Sequence, residues 1–236
     1  WDDHDYGQND GGAENPIKED AKAAFQAFYP VDAAMLSPTQ GGVYHSVTMG
    51  PKGKRVQFLM LDTRYFRSPL ERHTAPKHAL DIFQPTQDTS KTLLGEEQWK
   101  WLENELKQPA DLRILVSSIQ LVAEEHGFEK WANFPHERGK LFELLAKNKI
   151  KNLIVISGDR HQGEISQMKT PQGTVITDIT GSGINKTSTL GEEPNKHRLG
   201  NKYNPENFGL AEIDWKKKQI KLSLLNLEGK TIEKHL

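Results

Sequence analysis

From residue 43 the chain alternates, with Val43, His45, Val47 and Met49 on one side and Tyr44, Ser46 and Thr48 on the other, the period of two that marks a strand. PKGK then turns the chain into the apolar run of VQFLMLDTR, so a β hairpin is predicted here. In LGEEQWKWLENEL the period changes. Trp99, Leu102 and Leu106 share a face and carboxylates fill the first turn, which predicts a helix. RILVSS is predicted as a short buried strand and HERGKLFELLAKN as a second helix. The unbroken apolar run Leu153 to Ile156 in NLIVISGDRH predicts a strand covered on both faces. Strand, helix and strand imply a parallel pair with a right-handed crossover. Past Gly163 the β pattern returns in EISQMK and TVITDI around PQG, then in FGLAEIDW, IKLSLLNLEG and KTIEKHL. The carboxyl-terminal third is therefore expected to be antiparallel.

Residues 1–20 are rich in Asp, Asn and Gly and read as loop, followed by a helix over AKAAFQAF that Pro30 ends. Residues 68–90 have no period and are expected to run over the surface, reaching toward the site. These elements specify an α/β (α+β) fold in one domain over residues 1–236. Two arrangements satisfy them: two sheets packed face to face between helices, or one mixed central sheet.

Composition removes several function classes. Lys and Arg number 31 against 32 Asp and Glu, so no global field favours nucleic acid or an anionic membrane. There is no cysteine, which excludes a disulfide scaffold, a thiolate zinc site and a cysteine nucleophile. No apolar run approaches the roughly 20 residues of a membrane helix, and the first residues lack a signal-peptide pattern.

Four polar clusters carry candidate chemistry. In SGDRHQGE, Asp159 and His161 follow a buried strand, and ligand sites of α/β folds form at such strand ends. A carboxylate and an imidazole two residues apart suit zinc, iron or manganese; the plain alternative is a loop cap and a surface histidine. WDDHD packs Asp2, Asp3, His4 and Asp5 behind Trp1. Like charges this close repel unless a cation or strong hydrogen bonds hold them, although a solvated acidic loop explains Asp2 and Asp5 equally well. The indole of Trp1 suggests a loop anchored on the body of the protein. In FLMLDTRYFR, Arg64 and Arg67 could clamp a phosphate, or Asp62 and Arg64 could pair. In ILVSSIQL, Ser117, Ser118 and Gln120 offer oxygens at another strand end, without the Gly-x-Ser-x-Gly elbow of a serine hydrolase.

WDDHD, LDTRYFR, LGEEQWKWLENEL, VSSIQL and SGDRHQGE, in that order, resemble the PhoD-like alkaline phosphatases of the calcineurin-like metallophosphoesterase superfamily over nearly the whole chain. The resemblance implies two mixed β sheets packed face to face and flanked by helices. It further implies two or more metal ions (iron, calcium, zinc or manganese) and a phosphate ester substrate, monoester or diester, hydrolysed by hydroxide attack on phosphorus at a binuclear centre. By position it implies Asp3 and Asp159 on the second metal and His161 on the first. His4 would protonate the leaving alkoxide, Gln120 would stand near a further metal position, and Arg64 or Arg160 would neutralise a phosphoryl oxygen. Asp2 and Asp5 would support the loop. A periplasmic or extracellular location is implied in the same way.

The superfamily pattern opens with Asp-x-His, or a cysteine variant, and then Gly-Asp, whereas the sole Gly-Asp pair here is Gly158-Asp159. The chain is therefore expected to be the carboxyl-terminal part of the catalytic domain, lacking the amino-terminal part of the fold and inactive alone. Two rival expectations stand beside this one: a non-catalytic metal-binding or structural fragment, and an esterase using Ser117 or Ser118.

Overall fold

The predicted hairpin forms from β1 (His45–Met49) and β2 (Val56–Met60), with Val47 opposite Phe58. The structure is a computed structural model that describes residues 1–29, 36 and 39–235; Pro30, expected to end the first helix, lies outside the described residues. Between the hairpin and the next long strand lie the two-residue strands β3 (Glu71–Arg72) and β4 (Phe83–Gln84) and helix α3 (Gly95–Glu105). β2 pairs in parallel with β5 (Leu112–Val116), and β5 with β6 (Asn152–Ser157) across helix α4 (Pro135–Lys147). Beyond them, β7 (Gly163–Lys169) and β8 (Val175–Gly181) form a hairpin whose second strand pairs in parallel with β6, and β9 (Arg198–Tyr203) closes the far edge. The seven-stranded sheet runs β1-β2-β5-β6-β8-β7-β9; β10 (Phe208–Asp214), β11 (Gln219–Leu225) and β12 (Thr231–His235) form a separate sheet of three.

Each face of the large sheet has its own core. Leu59, Leu115, Leu153 and Val155 meet Trp99 and Leu102 of α3 and Leu141 and Leu145 of α4. Ile114, Ile154, Ile165 and Ile179 on the opposite face meet Leu222 and Leu224 of β11. The two sheets therefore pack face to face. β6 has Leu153 and Val155 turned to the helices and Ile154 to the small sheet, which is why its sequence shows no alternation. The small sheet is wholly antiparallel rather than mixed, because the short turns at 215–218 and 226–230 cannot make the long crossover that parallel strands need.

Specific contacts fix the start of α3 and tie the helix to the turn after β2. Thr92 Oγ1 accepts the Gly95 N–H at 2.9 Å, closing the start of α3. Gly95 has φ 72° and a Cβ there would lie 2.7 Å from the Phe66 ring, so glycine is required. Gln98 accepts the Asp62 N–H (2.9 Å) and donates to the Asp62 carbonyl (2.8 Å), which locks the turn after β2. The carboxyl ends of β2, β5 and β6 thus open on one side, at residues 61–64, 117–120 and 158–161.

Three elements depart from the sequence expectations. WDDHD, read as loop, contains the single helical turn α1 (Asp3–Tyr6), in which Asp5 Oδ2 accepts the Asp2 N–H at 2.9 Å; one turn is too short to show a period. Helix α2 (Lys18–Phe28) starts ahead of the apolar stretch that predicts it. β9, RLGNKY, had no strand signal because it is a half-exposed edge. The 68–90 excursion docks on the segment after β5, with the Ile82 and Phe83 N–H groups both donating to the Gly127 carbonyl (3.1 and 2.7 Å).

Candidate metal centre

Asp2, Asp3 and Asp159 each place a carboxylate oxygen within 4.8 Å of the others. Two remote segments meet here. Asp159 follows β6, where the Gly158 N–H donates to the Ser118 carbonyl at 3.0 Å, turning the chain across the strand ends. Asp2 and Asp3 arrive on α1, anchored by Trp1, whose ring packs edge-on against Tyr6 and Phe25 at 5.1 and 5.4 Å. Asp3 Oδ1 accepts the His4 N–H at 2.7 Å and Oδ2 the Asp10 N–H at 3.1 Å. Arg64 donates from Nε to Asp2 Oδ1 at 2.9 Å and from Nη2 to the same oxygen.

The loops after α1 and after β6 also share an uncommon backbone conformation, found as well in the turns at Lys149 and Lys218. Asp10, Asp159 and His161 have φ of 52°, 67° and 54°, left-handed values that cost side-chain-bearing residues free energy and gather at functional sites. Burial pushes the Asp159 carboxyl well above the usual range, the charges of Asp2 and Glu129 push it further, and Arg64 and Arg160 only partly oppose them. A cation would relieve that repulsion. The oxygen-rich donor set fits a hard or borderline cation. Burial, and then Lys186, lowers the His161 imidazole, while nearby Asp3 opposes; the neutral ring keeps a lone pair. His4 is exposed, its Nε2 4.0 Å from Asp3 Oδ1.

A cavity of about 410 Å³ opens beside the cluster, lined by Asp2, Asp5 and Asp159 and by the apolar groups of Trp1, Phe25, Met60 and Ile156. A larger cavity of about 680 Å³ between the sheets, near Trp215 and His235, contains none of the clustered carboxylates.

The remaining sequence candidates sit elsewhere or are otherwise engaged. Asp2, expected only to support the loop, belongs to the carboxylate cluster. Arg64 is fully buried between Asp2 and Glu129, with Nη1 2.7 Å from Glu129 Oε2, so its guanidinium is committed to carboxylates. Arg160 donates to both Glu193 oxygens (2.7 and 2.8 Å) and stacks 4.1 Å from the Phe128 ring. Gln120 is buried, donating to Glu164 and Thr180 and accepting from His126 Nε2 at 2.9 Å. None of those partners is in the acidic cluster. Asp62 makes no ion pair with Arg64 but accepts the N–H groups of Val43, Arg64 and Tyr65, each at 2.9 Å. Ser117 donates to the Ile119 carbonyl and accepts from Trp131, while Ser118 bonds Thr63. Neither serine has a histidine partner among the described residues, which removes the base that a serine esterase needs.

His126 and Glu129 were missed by sequence reasoning. Burial lowers the His126 imidazole strongly, so it stays neutral inside the Gln120 network. Both residues lie in EEHGFEKW, a polar stretch with no hydrophobic period to mark them as buried.

The model of the PhoD-like phosphatase family matches residues 1–224. Alkaline phosphatase D of Bacillus subtilis (strain 168) is 25% identical over 211 residues, covering 80% of this chain and 35% of that protein. The solved structure of PhoD superposes with a TM-score of 0.66 at 17% identity, covering 100% of this chain and 54% of its own. GAP50, the anchor in the inner membrane complex of Plasmodium, superposes with a TM-score of 0.53 at 15% identity, covering 81% and 52%. The chain thus spans about a third of the curated relative and about half of each solved one. The structural likenesses establish a fold shared with PhoD, and the match over residues 1–224 establishes the family: the chain belongs to the PhoD-like phosphatases.

Proposed function

We propose that the intact protein is a metal-dependent phosphoric ester hydrolase, and that Asp2, Asp3 and Asp159 hold a cation in its active site. The observation that carries this reading is the convergence of three carboxylates from two remote segments at the open ends of parallel strands. Metal ions bound there would supply positive charge to a phosphoryl oxygen and lower the pKa of the attacking water. Asp3 is held in place by two backbone N–H groups and Asp2 by the Arg64 guanidinium, so both carboxylates are oriented before a cation arrives. His161 offers a neutral nitrogen from the same loop as Asp159. His4 stands exposed next to Asp3, free to protonate a departing alkoxide. In this reading Arg64 acts through Asp2, and Arg160 braces the loop that carries Glu193. Two or more cations, drawn from iron, calcium, zinc and manganese, and an exported location are part of the same proposal.

A second reading, a metal-holding part without catalysis of its own, is favoured by the donor count: three carboxylates and one imidazole fall short of what two cations require. Assaying p-nitrophenyl phosphate and bis(p-nitrophenyl) phosphate separates the two. The intact protein is expected to hydrolyse at least one of them, with loss of activity in EDTA and recovery on adding metal. Chelator-resistant hydrolysis, or none with any of the four metals, counts against the proposal. Hydrolysis by residues 1–236 alone would exclude the second reading.

A further inference from the structure

Glu129 is 1% exposed and belongs to the segment after β5, and two arginines from the segment after the neighbouring strand β2 converge on it. Arg64 Nη1 lies 2.6 Å from its Oε1 and Arg67 Nη2 3.5 Å from its Oε2. Each arginine then reaches a different aspartate. Arg64 donates directly to Asp2. Arg67 Nη2 donates to the Asp10 carbonyl, and the Asp10 N–H donates to Asp3 Oδ2 at 3.1 Å.

We infer that Glu129 is the positioning residue for the two aspartates at the start of α1: it holds Arg64 and Arg67 side by side, and through them sets Asp2 and Asp3. Both guanidiniums are fully buried, and two buried cations repel unless a carboxylate lies between them. Remove that charge and the arginines must separate, carrying Asp2 one way and the Asp10 backbone the other. Glu129 itself is outside the three-carboxylate group; apart from its charge, which bears on Asp159, it acts on a cation through these residues. Its own place is fixed independently of α1, because the Lys130 N–H donates to Asn133 Oδ1 (2.8 Å) and the Trp131 N–H to the Gln120 carbonyl (3.0 Å). Metal ligands are generally oriented by the groups bonded to them, here Arg64 and the Asp10 N–H, and Glu129 fixes those groups from one step further out.

The inference rests on the proposed cation site, and the test separates the two. Mn²⁺ binding is measured calorimetrically for the intact protein and for its Asp159→Asn, Glu129→Gln and Glu129→Asp variants. Amide hydrogen exchange is measured alongside without metal. Glu129→Gln is expected to weaken Mn²⁺ binding by about 10-fold or more, the scale of outer-shell effects. It should also speed exchange of the His4 and Asp10 amides while the Val155 and Leu224 amides keep their protection, a local loosening that general destabilisation would not produce. Should Glu129→Gln fail to fold, Glu129→Asp carries the test, since it keeps the charge but withdraws it by one methylene. Weaker Mn²⁺ binding with faster His4 and Asp10 exchange supports the inference; unchanged binding and exchange overturn it. If Asp159→Asn binds Mn²⁺ as the unsubstituted protein does, the cation site itself is wrong, whatever Glu129 does.

Discussion

Asp159 and His161 flank Arg160 in the left-handed region, with φ of 67° and 54°, and the Arg160 N–H turns back to the Gly158 carbonyl at 2.8 Å. Two left-handed residues so close end β6 abruptly and carry both polar side chains past its last residue. Asparagine tolerates that conformation, whereas a β-branched residue does not. His161→Val should therefore be less stable than His161→Asn by about 1–2 kcal/mol, read from urea unfolding of the metal-free protein. Equal stabilities would mean that the backbone at 161 is not held in this conformation.

The contact between α3 and α4 depends on one buried carboxylate. Glu137 accepts from the Trp99 indole (2.9 Å to Oε2), Thr92 Oγ1 (2.7 Å) and the Leu93 N–H (2.7 Å). All three donors reach Oε2, and the Trp99 indole also reaches Oε1 at 3.0 Å, so Glu137→Gln keeps an oxygen for them only by setting its NH₂ group, a donor, against the indole N–H. We expect a loss of about 2–3 kcal/mol, the cost of leaving buried polar groups unsatisfied, with a changed Trp99 environment in the near-ultraviolet circular dichroism. A loss below the measurement error would count against this account of the helix pair.

Leu224 is fully buried where β11 meets Ile165 and Ile179 of the large sheet. Leu224→Ala should cost about 2–5 kcal/mol, the range for deep truncations that leave a cavity. Leu210→Ala on β10, where the side chain is 41% exposed, should change stability by about 0.5 kcal/mol or less. Similar effects at both positions would contradict the packing of the two sheets through Leu224.

Asp178 gives the fold a pH signature. It accepts from Ser157 Oγ (2.7 Å) and the Leu121 and Val122 N–H groups (2.8 and 3.1 Å), but burial pushes its carboxyl up from 3.8 to about 6. Between those two values the native state binds a proton that the unfolded state does not, so this contribution to stability falls as pH rises through the window. At about 1.4 kcal/mol per pKa unit, the contribution is on the order of 3 kcal/mol. The stability difference between Asp178→Asn and the unsubstituted chain should shift in favour of Asn by that amount between pH 4 and pH 8. A pH-independent difference would show that Asp178 keeps an ordinary pKa.

What could be read from the sequence follows the burial of each element. α3 and α4 were legible because each buries one face, which imposes an apolar period, and β5 and β6 because they have residues in both cores, which makes a short unbroken apolar run. β9 was not, since a half-exposed edge strand such as RLGNKY needs backbone pairing and no apolar face. In the candidate site, Asp159 and His161 were singled out by their place after a predicted strand, and Asp3 and His4 by an acidic loop motif and the family resemblance. The placing of Asp2 was out of reach: it depends on Arg64, 62 positions away. Likewise Glu129 shows nothing locally, because its meaning comes from two arginines that only the folded chain brings together. Gln120 looked like a site residue from its strand-end position, but that position says nothing of the side chain's direction, which is toward Glu164 and His126.

The central claim is that Asp159, with Asp2 and Asp3, holds a cation on which phosphoester hydrolysis by the intact protein depends. Metal content and p-nitrophenyl phosphate turnover, measured together for the intact protein and its Asp159→Asn variant, test it most directly. The account predicts that the variant stays folded, loses metal and loses turnover. Unchanged turnover with unchanged metal stoichiometry would contradict it.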